Sequence, residues 1–262
     1  MAVEVFVAVV PAGEPDWMMQ RLTCAEHARA GRFVHAVDRR AYVASHALLR
    51  VALDHVAGRF EQWRFDVDAL GKPHVLSPVA QPFFSLSHTR GRVAVVVSRR
   101  GPVGVDVEVV DRVHALSDMD EAWLSAGERL ALTSALDKDQ GAQRLAWWVA
   151  KEALVKAVGL GLRQPLCELE LPVFSWTDGA FGWLSPCGLP AAEAWIPAVH
   201  LPAAFGPSGS ASWPLRVFRD ENFCLGLAVH RPAAGEPAPA VIMHESSLTA
   251  DGPVFTAIRH ES

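Results

Sequence analysis

Residues 147–162 read WWVAKEALVKAVGLGL. Two Trp and a run of Ala, Leu and Val describe an apolar helix, and Gly159 and Gly161 end it. Yet the stretch carries Lys151, Glu152 and Lys156. Glu152 and Lys156 stand four apart and share a helix face. Trp147, Leu154 and Val158 can bury another face, and Trp148 lies beside Glu152, so the Trp pair reads as core. Alone, the charged pair is either a surface ion pair worth about 0.2–0.5 kcal/mol or a carboxylate and an ammonium kept for chemistry.

The decision rests on what such a helix can meet. In GVDVE, residues 104–108, side chains alternate as on a strand, so Asp106 and Glu108 share one face and Val105, Val107 and Val109 the other, toward the core. Two carboxylates about 7 Å apart on one strand face are either an ordinary wet face or donors for a hard divalent cation. With Glu152 as a third carboxylate, positions stay open for phosphate and water, as Mg²⁺ phosphate sites require. In FFSLSHTRGRVAVVVS, residues 83–98, Ser87 and His88 end a strand; His binds phosphate as a cation or serves as acid or base, and a structural turn is the competing reading. In GKP, residues 71–73, Pro73 stiffens a turn from which Lys72 projects.

The chain has 262 residues, 50% hydrophobic and 20% charged, enough for one large domain or two small ones. Its net charge of −5 provides no basic field, which argues against broad nucleic-acid binding. Cys24, Cys167, Cys187 and Cys224 form no CxxC, so reduced thiols in a cytoplasm are expected instead of a zinc ribbon or disulfide framework. MAVEVFVAVVPAG lacks a basic signal-peptide start and alternates as a first strand, and VAVVV at 93–97 is too short to span a bilayer. A soluble protein without a membrane partner is expected.

Helices are expected at 16–30, 38–57, within 117–136 and from 143 to 158. Strands are expected at 63–67 and 74–76, and FFSLS, RVAVVVS and VGVDVEVV read as a meander. Further strands are expected at 166–176, 181–184, 215–218 and 223–230, with DEN turning the last hairpin. Residues 186–214 read as an irregular insertion and 231–262 as a mobile tail.

The order GKP, F-x-x-S-H, G-V-D-V-E and W-x-x-K-E-A-x-x-K-A-x-G-x-G-L resembles the 4′-phosphopantetheinyl transferase superfamily, in its long, monomeric, surfactin-synthetase-activating (Sfp) type. The resemblance covers roughly residues 29–175 plus a last strand at 223–230. It implies an α+β fold of two pseudo-twofold halves, each an antiparallel sheet with a long helix, here residues 1–102 and 103–230, with the active site between them. It implies an enzyme that transfers the phosphopantetheine arm of coenzyme A to a serine of an apo acyl or peptidyl carrier protein and releases adenosine 3′,5′-bisphosphate. By the same resemblance Asp106, Glu108 and Glu152 hold Mg²⁺ on the diphosphate, and Lys156 neutralises charge there. Arg29, Lys72, Ser87 and His88 contact the nucleotide. The family's further basic and small hydroxyl positions fall near Glu26 and at Tyr42, and those two contacts are not carried over. Glu152 is the expected base, and Lys156 an alternative donor to the leaving oxygen. The rival readings are a Mg²⁺-dependent hydrolase of coenzyme A and a non-catalytic binder of coenzyme A or carrier.

Overall fold

The computed structural model describes residues 2–58, 63–76, 82–175, 182–183, 185–186, 195–196, 198, 200–206, 213–231 and 239–259. In chain order the elements are β1 (Val3–Val9), α1 (Asp16–Gln20), α2 (Cys24–Ala30), α3 (Ala36–Ala57), β2 (Phe65–Val67), β3 (Pro73–Val75), β4 (Phe83–Thr89) and β5 (Arg92–Ser98). There follow β6 (Val103–Val109), α4 (Val113–Ser117), α5 (Asp120–Trp123), α6 (Ala126–Ser134), α7 (Asp137–Val158), β7 (Phe174–Ser175), β8 (Gly182–Trp183) and β9 (Ser185–Pro186). The last are β10 (Leu215–Arg219), β11 (Phe223–Val229), β12 (Val241–Thr249) and β13 (Gly252–Arg259). The class is α+β. One compact unit comprises Met1–Asp68, Pro73–Arg100 and Pro239–Glu261; the other holds Ala69–Lys72 and Gly101–Ala238.

In the first unit the sheet order is β13-β12-β1-β5-β4, and β12 runs parallel to β1. The 22-residue α3 buries Leu48, Leu49, Ala52 and Leu53 with Phe6, Val93, Val95 and Val97. The expected helix over 16–30 is broken by Thr23, which caps α2 reciprocally with Glu26. The mobile tail expected over 231–262 is corrected: 241–259 form a hairpin on the sheet. On β12 the positions alternating toward the buried side include His244 and Ser246, and polar residues there erase the apolar period a sequence reading depends on. The expected three-strand meander is also corrected, because β5 pairs with β1 on one edge and β4 on the other, leaving no edge for β6.

The second unit carries the order β6-β11-β10-β8. The DEN turn forms as expected, with Asp220 Oδ1 accepting the backbone N–H groups of Asn222 and Phe223. The strand expected over 166–176 is instead a 3₁₀ turn at Leu166–Glu168, a bridge from Glu170 to His200, and β7, paired with β9. Of the expected strand at 181–184, positions 182–183 form β8 and the others lie outside the described residues. Within 186–214, Ala203–Phe205 form a 3₁₀ turn and Trp213 donates to the Phe205 carbonyl.

The 22-residue α7 lies against β6, β10 and β11. It starts six residues earlier than expected, since DKDQGAQ lacks an apolar period. Gly104 and Gly226 allow the close approach. A Cβ on Gly104 would stand 2.0 Å from the Ala153 carbonyl oxygen, and one on Gly226 2.1 Å from that of Val149. Gly104 lies on the α7 side of β6, so Asp106 and Glu108, two and four residues on, face the helix too. This corrects the expectation that the valine face alone marks the core: Val105 and Val107 are buried, but so is the opposite face, where Leu215, Val217, Cys224 and Ala228 pack with α7. Gly226→Ala is expected to force α7 off the sheet and cost at least about 1–3 kcal/mol, read by urea unfolding; an unchanged midpoint would show that the contact is not tight.

Candidate active site

Helix α7 presents these charged residues in two directions, Lys151 in one and Glu152 with Lys156, four residues apart, in the other. Lys151 is fully buried. Its ammonium donates to Glu128 Oε2 at 2.5 Å and to the Trp123 and Leu166 carbonyls at 3.0 Å each, which uses all three donors. Glu128 also accepts the backbone N–H groups of Ser125, closing the α6 capping box, and Leu171. Burial pushes the Glu128 carboxyl above its ordinary range and Lys151 below its own, and each is opposed by the partner's charge. This fully satisfied pair staples α6, α7 and the chain after it; it is not a reacting group. Lys151→Met, leaving Glu128 buried and uncompensated, is expected to cost about 3–5 kcal/mol. Chemical denaturation measures this, and a loss under about 1 kcal/mol would contradict the staple.

Glu152 and Lys156 turn toward β6. The Lys156 ammonium lies 2.6 Å from Asp106 Oδ1, so its ion pair is with the strand. Asp106 is nearly buried, and Glu108 has Arg112 at 3.8 Å. The Glu152 carboxyl is raised above its usual range, first by burial, then by the Asp106 charge, with Lys156 opposing and Glu108 adding a smaller push. Three carboxylates that feel one another beside one ammonium offer only hard oxygen donors. Among the described residues they do not close into a cage with every ligand atom within 4.8 Å. An open set of this kind suits Mg²⁺, which keeps waters and takes substrate phosphates beside one or two carboxylates. Cys224, opposite Glu108 on β11, has its thiol pushed up to about 12 by burial and is no nucleophile.

Lys72 belongs to the same unit. Its ammonium donates to the carbonyls of Ala157 at 2.5 Å and Val103 at 3.2 Å, at the C-terminal end of α7 and the start of β6. Lys72 thus shares the second unit with Asp106, Glu108, Glu152 and Lys156, and those four meet one another.

Arg29, Ser87 and His88 lie in the first. The Arg29 guanidinium stands 5.7 Å from the Tyr42 ring centroid, Ser87 is buried on β4, and His88 is exposed beside it. The His88 charge reaches His46, whose imidazole is held below the usual range, chiefly by burial. The structure explains the two departures from the family pattern. Glu26 serves the α2 cap and the buried Arg50 at 2.7 Å, and Tyr42 packs on His46 and Phe33. Sequence reading missed Glu128 and Arg50; S-A-G-E at 125–128 carries the capping signal that points to Glu128, whereas nothing local marks Arg50 as buried.

Residues 102–196, which contain the three carboxylates and Lys156, match the model of the 4′-phosphopantetheinyl transferase superfamily. Over this segment the chain is similar to the superfamily. Its relatives include the 4′-phosphopantetheinyl transferase HetI of Nostoc sp. (strain PCC 7120), 29% identical over 64% of this chain and 73% of that one. A 4′-phosphopantetheinyl transferase of Bacillus subtilis is 28% identical over 59% and 68%. The solved Thermotoga maritima holo-[acyl-carrier-protein] synthase superposes on 50% of this chain and 64% of its own at 21% identity, with a TM-score of 0.34, too loosely to add to the assignment. By this similarity the protein is an enzyme, and no helix among its described residues is long and apolar enough to cross a membrane.

Proposed function

We propose that the protein moves the 4′-phosphopantetheine arm of coenzyme A onto a serine hydroxyl of an apo acyl or peptidyl carrier protein, releasing adenosine 3′,5′-bisphosphate. The observation that carries this reading is the meeting of Asp106, Glu108 and Glu152 with Lys156 inside the segment matching the superfamily. Asp106, Glu108 and Glu152 would hold Mg²⁺, which when bound offsets diphosphate charge and stabilises the leaving phosphate. Lys156 keeps a cation beside Asp106, ready for a phosphate oxygen. Glu152, already raised above an ordinary carboxylate, takes the serine proton directly or through water. The serine oxygen bonds to the phosphorus that bears pantetheine, and the bond from that phosphorus to the bisphosphate oxygen breaks. Lys156 is the donor at hand for that oxygen. Arg29, Lys72, Ser87 and His88 contact the nucleotide in this reading, as the family motifs imply. By the motif resemblance we assign the Sfp type, and with it a cytoplasmic monomer.

Chromatography of nucleotide products tests the reaction type. Adenosine 3′,5′-bisphosphate is expected only when coenzyme A, Mg²⁺ and apo carrier are all present. Release without carrier would make the protein a hydrolase.

Carrier docking is assigned to the turn after α7. Leu162 is fully exposed with Arg163 beside it, whereas Leu160 and Leu166 pack on the core, which narrows the docking edge to Leu162. Leu162→Asp is expected to raise the KM for carrier about tenfold, about 1.4 kcal/mol, with the KM for coenzyme A unmoved. A parallel rise in both constants with a lower Tm would refute docking there.

A further inference from the structure

Far along the chain from the acidic motifs, the first unit gathers Glu4 of β1, His55 of α3 and His244 of β12, with one ligand atom from each within 4.8 Å of the others. Among the described residues it is the only group of three His, Cys, Asp or Glu side chains so arranged. Both imidazoles aim Nε2 at the same carboxylate oxygen, Glu4 Oε2, at 2.9 Å from His244 and 3.4 Å from His55. Ligand atoms of a tetrahedral zinc site with bonds of about 2.0–2.1 Å stand about 3.3 Å apart, so the spacing is close to that of a metal's ligand sphere.

The rings are held in place. His244 is buried and stacked on Phe6 at 4.5 Å and 8°, and Phe255 stands edge-on to Phe6 and His244. His55 meets Phe6 and His244 edge-on and remains partly exposed, which gives a route in from solvent. An apolar wall that fixes ring orientation around two imidazoles and one carboxylate selects a borderline transition-metal ion over a hard one.

We propose that Glu4, His55 and His244 form a site for a divalent transition-metal ion of the Zn²⁺ class, separate from the acidic Mg²⁺ set. The ion would tie the C-terminal hairpin, through β12, to β1 and α3. The competing arrangement is a carboxylate that simply bridges two imidazoles by hydrogen bonds.

Calorimetric titration of Zn²⁺ into the untagged, chelator-stripped full chain distinguishes them, with excess Mg²⁺ present to cover the carboxylate set. The wild type is expected to bind one Zn²⁺ and to melt higher when loaded. Since loss of an outer-shell partner alone weakens metal binding about 10–100-fold, His55→Ala and Glu4→Gln should each weaken it at least about 100-fold. Transfer activity in Mg²⁺ should be unchanged in both. His55 is half exposed, so its variant should fold, and circular dichroism checks this. No Zn²⁺ binding by the wild type, or equal affinity in His55→Ala, would overturn the site.

Discussion

Asp106→Ala should abolish phosphopantetheinyl transfer, a loss of at least about 10³-fold, the upper range for removing one preorganised electrostatic group. In the proposed mechanism the side chain does two jobs. It is a ligand of the Mg²⁺ set, and at 2.6 Å it holds the Lys156 ammonium beside β6. Alanine removes both. Asp106→Asn separates them, since an amide oxygen still accepts from Lys156 but lacks the charge a hard cation needs. It should be nearly as inactive, with its melting temperature close to wild type, because the amide keeps the side chain's shape and its acceptor for Lys156. Turnover near wild type in saturating Mg²⁺ would remove Asp106 from the ligand set.

Glu152→Gln is expected to lose more than about 10²-fold in kcat, the lower range for a general base, and to gain stability. The second effect follows from the sign of the shift. Burial and Asp106 raise the folded carboxyl above its ordinary value of 4.5. A raised carboxyl contributes stability below the unfolded pKa and loses it as pH rises through the folded one. In chelator the wild type therefore carries a cost above that window which glutamine removes. The variant should melt higher than wild type at neutral pH, with the difference closing as pH falls through the raised folded value to the ordinary one of 4.5. A surface ion pair would behave oppositely, with unchanged turnover and a small loss of stability.

The legible parts of the fold were those with an apolar period. The stripe of α3, the β4–β5 hairpin and the apolar part of α7 from 143 to 158 stand where the sequence puts them, because burial of one face dictates both element and register. The carboxylate–lysine set was legible for the same reason: positions 106 and 108 on a strand and 152 and 156 on a helix each share a face. Three things stayed hidden. His244 and Ser246 put polar groups on the buried side of β12, so a strand read as a tail. Strand pairing across 98–103 depends on which edges other strands occupy, and β1 lies ninety residues upstream in the sequence. Lys151 and Glu152 are adjacent letters with opposite roles, and only the helix turn that sends one to Glu128 and the other toward Asp106 tells them apart.

Intact-mass spectrometry of an apo carrier protein incubated with coenzyme A, Mg²⁺ and this protein tests the central claim most directly. The account predicts that the carrier gains about 340 Da, the mass of the phosphopantetheine arm, at its serine, with wild type and not with Glu152→Gln over the same interval. Carriers from fatty-acid, polyketide and nonribosomal-peptide systems that all stay at their apo mass while coenzyme A is consumed, or an equal gain with Glu152→Gln, would contradict it.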